Sequence, residues 1–225
     1  MLQTSTLDFL KQLSANNHRD WFMANKKAFE AAKKDFESFI QEIINGLGTF
    51  DEGVKDLKAK ECVFRIYRDV RFSKDKSPYK TNFGAGMSKG GKKMSLAGYY
   101  LHLEPGGKSF LAGGIYMPEP TLLNAVRQEI DYNTEEFVKI LEDKDFKKHF
   151  GKLSDIKLKT APKQYPKDHP YIELLKHTSF IGECQLKDEV FTCKDAVQKI
   201  VTTFKALHPL NTFLNRVATD VSAKA

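Results

Sequence analysis

Apolar residues recur at helical spacing through the first 48 residues of the chain. The pattern predicts a first short helix that Ser5 or Thr6 can cap. One long or two abutting amphipathic helices follow, for which Asn17 is the predicted N-cap. Gly46 or Gly48 is the predicted stop, because glycine commonly follows the last helical residue.

Beyond residue 60 the pattern changes to the period of strands. Residues 62–72 alternate between apolar and polar side chains, and strand-like runs follow at residues 81–88, 96–104 and 109–117. The turn sequences KGGKK and PGG separate the last three runs. Because sequential strands joined by tight turns pair with their neighbours, the pattern predicts an antiparallel meander.

The second half of the chain is again mostly helical. A helix is predicted from Pro120, and residues 161–170 contain three prolines and read as an irregular connection. A further strand at residues 180–186 precedes C-terminal helices that Pro209 is expected to break. The chain is therefore predicted to be α+β, a single domain over residues 1–225 in which an antiparallel β-meander sheet is flanked by N-terminal and C-terminal helices.

Composition narrows the class of protein. Apolar residues make up 41% and charged residues 29% of the chain, which is ordinary for a globular protein. No run of about 18 apolar residues predicts a membrane span, and no basic region precedes an apolar core at the N-terminus as in a secretory signal. The chain has only three cysteines, a small and odd number that argues against a disulfide framework. A reducing, cytoplasmic location is therefore expected.

The net charge of +7 is concentrated in two segments. Residues 64–80, FRIYRDVRFSKDKSPYK, contain six cations and two acids, and residues 144–169 contain eight lysines and three acids. The rest of the chain carries −2. Basic segments on a slightly acidic background favour an anionic ligand, but for residues 144–169 a solvated face is the preferred interpretation, and the role of this segment stays open.

In the predicted strand at residues 62–72, one face is apolar and places Phe72 in the core, and the other is polar and carries Arg65 and Arg71. Arg68 falls on the apolar face, so it is expected to be a buried, paired arginine or to mark a bulge. Pro78 orders the following turn, which lets the cations converge on one pocket. The predicted ligand-binding residues are Arg65, Arg68, Arg71, Lys74, Lys76, Tyr79 and Lys80. Asp69 and Asp75 are the candidate general bases or metal ligands if the site is catalytic.

Other patterns point to chemistry less strongly. Residues 86–93 match G-x-x-x-x-G-K but end in Lys93 where a phosphate-binding loop has Ser or Thr, and strands on both sides favour a hairpin turn. His102 and Glu104 would share a strand face, as metal ligands or as an ordinary surface pair. No metal site and no particular cofactor is predicted. Glycines inside the strands leave room for a ligand or for a closely packed helix.

The residues identify a resemblance that covers nearly the whole chain. NNHRDWFMANK, the stretch FRIYRDVRFSKDKSPYKTNFGAG, GYYLHLEPGG and GGIYMP resemble the bacterial family of conserved hypothetical proteins catalogued as domain of unknown function 2461. The resemblance implies no activity. It implies a set of signature positions: Asn17, Trp21, Phe22, Arg68, Asp69, Arg71, Phe72, Lys74, Asp75, Lys76, Pro78, Tyr79 and Lys80.

Three functions are compatible with these patterns. The first is binding of a phosphorylated or other anionic small molecule by the basic segment, with or without an enzymatic activity. The second is nucleic-acid binding, because Tyr67, Phe72, Tyr79 and Phe83 interleave with the cations as stacking surfaces do. The third is a structural or partner-binding protein in which the arginine cluster only holds the fold. The oligomeric state is not predicted.

Overall fold

A four-stranded antiparallel sheet organises the structure, with its strands in sequence order. The computed structural model describes residues 1–93 and 96–222. The strands are β1 (Phe83–Met87), β2 (Gly98–Leu103), β3 (Ser109–Ile115) and β4 (Phe180–Leu186). The first three form the predicted meander, and β4 joins the edge of β3 after a long helical excursion. The predicted α+β class with an antiparallel sheet is confirmed.

Helices occupy the chain before, between and after the strands. The N-terminal helices are α1 (Thr4–Ala15), α2 (Arg19–Ala24), α3 (Lys26–Leu47) and α4 (Ala59–Cys62). A short 3-10 helix (Gly91–Lys93) lies between β1 and β2. Between β3 and β4 lie α5 (Pro120–Tyr132), α6 (Thr134–Glu142), α7 (Lys144–Phe150) and α8 (Ile172–Leu175). After β4 come α9 (Glu189–Thr192), α10 (Ala196–Lys205) and α11 (His208–Ser222). No helix within the described ranges has both the length and the apolar character to cross a membrane.

One face of the sheet is covered by α3, α10 and α11, which pack against β1 and β3. Phe83 lies 5.2 Å from Phe36 of α3 between ring centres, and Tyr99 lies 5.3 Å from Phe204 of α10. Because side chains alternate along a strand, the residues between these core positions point to the opposite face of the sheet. Tyr100 and His102 of β2 and Phe110 of β3 lie on that second face.

The predicted helix stop at Gly48 is confirmed, because α3 ends at Leu47. The predicted N-cap at Asn17 is wrong: α2 begins after His18, whose Nδ1 accepts a hydrogen bond from the Trp21 N–H. Asn17 instead reaches across to the basic segment. Its Nδ2 donates to the Tyr79 carbonyl at 2.9 Å, and its Oδ1 accepts from the Tyr79 N–H at 3.1 Å.

We expect Asn17→Ala to destabilise the fold by about 1–2 kcal/mol, because two partly buried backbone groups lose their partner. Asn16→Ala is the matched control, since the Asn16 amide makes only an exposed local bond to the Gln12 carbonyl at 3.0 Å. The control should stay within about 0.5 kcal/mol of the parent in urea unfolding. Equal losses for both variants would contradict the bridging role of Asn17.

The strand predicted at residues 62–72 does not form. Cys62 ends α4, and the chain beyond it pairs only at single bridges, between Val63 and Ala85 and between Tyr67 and Tyr79. Two Asx turns explain the difference, because the Asp69 and Asp75 carboxylates accept from backbone N–H groups two residues ahead and compete with a strand ladder. Residues 64–80 are therefore an irregular loop, called the basic loop below.

Candidate functional site

The acids and two of the arginines of the basic loop neutralise one another. Arg68 forms an ion pair with Asp75, and Arg71 forms one with Asp69 at 2.7 Å. The Ser77 hydroxyl and N–H, followed by Arg68, hold the pKa of the Asp75 carboxyl well below its usual range. Hydrogen bonds from Arg71 lower the pKa of the Asp69 carboxyl. Both carboxylates are thus charged and engaged within the loop.

An open pocket of about 360 Å³ lies where the basic loop meets the N-terminal helices. Four of the predicted site residues line it: Arg68, Asp75, Tyr79 and Lys80. The remaining wall is polar and is formed by Ser14, Asn17, Ser77, Thr81 and Asn82. We call this cavity the loop pocket. It brings together only part of the predicted set.

The other predicted cations point elsewhere. Arg65 and Lys74 are exposed, and the Lys76 ammonium donates to the Val70 carbonyl at 3.0 Å. The prediction that Arg65 and Arg71 share a strand face is wrong, because no strand forms there. Phe72, predicted to be a core residue of that strand, is 96% exposed.

A second cavity lies on the face of the sheet opposite α3, α10 and α11. It has a volume of about 520 Å³ and we call it the sheet-face groove. Its lining is mainly apolar and aromatic, and consists of Phe64, Lys92, Lys93, Tyr100, Phe110, Ala112, Gly113, Gly114, Tyr116, Ile156, Ile181 and Glu183. The volume falls in the range of small-molecule sites. Small residues of β3 form the floor and leave the space above the strand open.

Cations lie along the rim of the sheet-face groove. Lys92 and Lys93, from the 3-10 turn after β1, are both exposed, and Glu183 of β4 is the acid on the lining. The ammonium of Lys80 lies 5.6 Å from the centre of the Phe64 ring, which lines the groove. Burial, and then the nearby charge of Arg65, lower the pKa of Lys80. Lys80 therefore lines the loop pocket and contacts one residue of the groove lining.

Tyr100, His102 and Glu104 form a chain of hydrogen bonds beside the groove. The Tyr100 Oη lies 3.2 Å from His102 Nδ1, and His102 Nε2 lies 3.0 Å from Glu104 Oε2. His102 also stacks on Phe110, with 4.7 Å between ring centres. The His102 and Glu104 side chains are only 16% and 21% exposed. This is the geometry of an acid–base relay that ends at a residue of the groove.

The tautomer of His102 follows from its surroundings. A carboxylate only accepts hydrogen bonds, so Nε2 carries the proton and donates it to Glu104. Nδ1 is then the acceptor, and it faces two donors, the Tyr100 hydroxyl and the Asn82 Nδ2 at 3.4 Å. Thr81 supports the far end of the relay by donating its hydroxyl to Glu104 Oε1 at 3.2 Å.

Comparison with known proteins places the chain. A family model described as "Conserved hypothetical protein (DUF2461)" matches residues 5–213. The chain belongs to this family. No curated protein and no solved structure matched the chain. The DUF2461 match confirms the resemblance inferred from the residues, and it assigns no ligand and no reaction.

In this DUF2461 protein, the sheet-face groove is the part of the candidate site that the sequence pattern missed. Two signals pointed toward it. The near-match to a phosphate-binding loop contains Lys92 and Lys93, and β1 and β2 on either side confirm the predicted hairpin connection. Of the predicted pair, His102 lies in β2 and Glu104 directly follows the last residue of that strand. The two side chains bond to each other, and His102 also bonds to Tyr100. Phe64 could not be placed, because the strand assumed for it does not exist.

The cysteines and metal-ligand residues offer no second site. Cys62, Cys184 and Cys193 carry free thiols, and burial raises the pKa of the Cys62 thiol to about 11, so that this thiol stays protonated. Across residues 1–93 and 96–222, no three His, Cys, Asp or Glu side chains are grouped as a metal site requires. Within the described residues, the groups that lie together at the groove and beside it are cations, aromatic rings and the Tyr100–His102–Glu104 relay.

Proposed function

We propose that the protein binds an anionic small molecule whose aromatic or other apolar body lies in the sheet-face groove. The observation that carries the proposal is the combination, in one cavity of about 520 Å³, of an apolar lining with a rim of lysines. Apolar walls with a few placed polar groups are typical of small-molecule sites. An ionised group on the ligand would lie against Lys92 and Lys93.

The aromatic walls favour a planar apolar body. Phe64 and Tyr100 lie 6.2 Å apart and nearly perpendicular, and Tyr100 and Phe110 lie 5.7 Å apart. Ile156 and Ile181 add aliphatic side chains to the lining. Burying such a ring against these side chains contributes about 25 cal/mol for each Å² of apolar surface removed from water. Apolar contact with the groove walls therefore supplies most of the proposed affinity, and the positive charge of the rim lysines selects anionic ligands.

The basic loop contributes through Lys80 and through its field. Arg68 and Arg71 are already paired with acids of the loop, so their charge is largely cancelled. Arg65, Lys74, Lys76 and Lys80 keep the area positive, which raises the local concentration of anions. The loop residues stay candidate ligand contacts on the side of the loop pocket, and the general-base role of Asp69 and Asp75 stays a prediction.

The placement of the aromatic residues argues against the nucleic-acid alternative. Tyr79 is 4% exposed and Phe83 is 2% exposed, so neither ring can stack on a base. Tyr67 and Phe72 are exposed but lie on the loop. A single-strand binder needs successive stacking surfaces along a groove, and two of the four predicted surfaces are inside the core.

Isothermal titration calorimetry with 1-naphthyl phosphate tests the proposal. We expect it to bind more tightly than inorganic phosphate, which lacks the ring, and than 1-naphthol, which lacks the charge. Ala112→Leu, which fills the groove, should weaken binding at least tenfold. Lys92→Met and Lys93→Met should each weaken it by about threefold, as expected for exposed charges.

Lys89→Met is the matched control, because Lys89 is an exposed lysine of the same turn that is not part of the groove lining. It should leave the affinity unchanged. Arg71→Ala is the corresponding control for the basic loop. Inorganic phosphate binding as tightly as the naphthyl ester, with affinity lost in Arg68→Ala and kept in Ala112→Leu, would move the anion site to the loop pocket and contradict the proposal.

A further inference from the structure

We infer that Tyr100 is a nucleophile activated by His102 and Glu104, and that the ligand of the sheet-face groove is a phosphate ester that transfers its phosphoryl group to Tyr100. The nature of the substrate rests on the proposed function, whereas the reactivity of Tyr100 rests on the relay alone. The relay has the three parts of an activated nucleophile: an attacking oxygen, a base in hydrogen-bond reach, and a group that orients the base.

The attacking oxygen belongs to a residue of the groove lining. Tyr100 lines the groove, and its hydroxyl lies over β1 at Gly84, where an added Cβ would be only 2.8 Å from Oη. The absence of a side chain at Gly84 is what allows the phenol to lie across the strand. Burial raises the pKa of Tyr100, so the resting phenol is protonated and donates to His102 Nδ1. A base is therefore required to release its nucleophilic form.

The base is held ready by its neighbours. Glu104 accepts the Nε2 proton of His102, which leaves the Nδ1 lone pair directed at Tyr100 and would stabilise the imidazolium that forms. The stack on Phe110 and the hydrogen bond to Asn82 fix the plane of the ring. Glu104 is itself held by Thr81 and by Lys108, whose ammonium lies 3.6 Å from Oε1. Glu104 is thus a positioning residue.

The reaction balances with water as the one further reactant. The Tyr100 oxygen forms a bond to phosphorus as its proton passes to His102 Nδ1. The bond between phosphorus and the ester oxygen breaks on the opposite side, and solvent water protonates the leaving oxygen. The products are a phosphoryl-Tyr100 and a free alcohol. Water then cleaves the bond between phosphorus and the Tyr100 oxygen and releases inorganic phosphate, while His102 returns its proton to the phenol oxygen. The cations at the rim and Lys80 would offset the charge on the phosphoryl oxygens.

The reactivity of Tyr100 is tested with benzenesulfonyl fluoride, which forms a sulfonate ester on a phenol oxygen and releases fluoride. Peptide mapping by mass spectrometry should show Tyr100 modified at least tenfold faster than Tyr116 and Tyr132, which are 62% and 74% exposed. Tyr116 is the internal control for reagent that merely collects in the groove, because it lines the same cavity outside the relay.

His102→Gln should slow modification of Tyr100 at least tenfold and leave the rates at Tyr116 and Tyr132 unchanged. Glu104→Gln should give an intermediate rate, and thermal melting checks that both variants fold. Modification of Tyr100 no faster than of Tyr132, or a rate unaffected by His102→Gln, would overturn the inference.

Release of fluorescent 1-naphthol from 1-naphthyl phosphate tests the substrate class. The parent protein should release it, and Tyr100→Phe and His102→Gln should abolish the release. Binding of the ester without release would overturn the phosphoryl transfer while leaving the proposed function intact. Selective sulfonylation of Tyr100 without any binding of the ester would remove the proposed function and keep the activated phenol.

Discussion

Gly114→Ala is expected to destabilise the protein by about 4 kcal/mol. Gly114 lies in β3 with a φ of +119°, a conformation that side-chain-bearing residues rarely adopt, and an added Cβ would lie 1.9 Å from the Phe180 carbonyl oxygen. That oxygen belongs to β4, which pairs with β3 along its length, so it cannot move without loss of sheet hydrogen bonds. Backbone strain and overpacking each cost about 1–3 kcal/mol.

Gly107→Ala separates the two costs. Gly107 also has a positive φ, +73°, but nothing lies within 4 Å of its added Cβ. This variant should lose only about 1 kcal/mol, the cost of a left-handed backbone for alanine. Urea unfolding of both variants measures the difference. Equal losses of unfolding free energy in the two variants would show that the close approach of β4 is not the reason for a glycine at position 114.

Phe22→Ala should also cost about 4 kcal/mol in unfolding free energy, which lowers the melting temperature by about 10 °C. Phe22 is 2% exposed and joins the N-terminal helices to the basic loop. Its ring stacks on Tyr79 with 3.9 Å between centres and lies 5.0 Å from Phe29. Truncation removes a large apolar side chain and leaves a cavity that these rings cannot close.

Phe72→Ala is the control of the same residue type. Phe72 is 96% exposed, so its loss should change the unfolding free energy by less than about 0.5 kcal/mol. Hydrogen exchange adds a local readout, because the Lys80 N–H donates to the Ile66 carbonyl at 2.8 Å in the parent. The Lys80 N–H should exchange faster in Phe22→Ala than in the parent, and at the parent's rate in Phe72→Ala. Similar stability in the two variants would contradict the anchoring role of Phe22.

Periodicity predicted the regular parts of the fold because burial repeats along regular elements. The end of α3, the meander and the distant strand β4 follow from patterns of apolar residues and turn glycines. Exposure also alternates from Phe64 to Arg71, but no strand forms there. Local side-chain bonds from Asp69 and Asp75 prevailed over strand pairing, and their effect depends on partners that a period-two pattern does not encode.

The candidate site was harder to predict than the fold, because it combines residues that are distant in sequence. Charge density drew attention to the basic loop, where the structure pairs two of the six cations with acids of the loop. The groove joins Phe64 to Lys92, Phe110 and Ile181, and no local motif connects them. The sequence indicated the pair His102 and Glu104. It did not indicate Tyr100 as the third member of the relay, because Tyr100 looks like any other aromatic residue of a predicted strand.

The late position of β4 in the chain has a consequence for synthesis. The groove wall formed by Ile181 and Glu183 does not exist until β4 has been made, although β1, β2 and β3 are complete more than 60 residues earlier. A nascent chain that has not reached residue 180 carries β3 as an unpaired edge. Such edges are templates for association between chains, and pairing across so long a separation is slow. While α5–α8 are being synthesised, the unpaired edge of β3 can therefore associate with other chains.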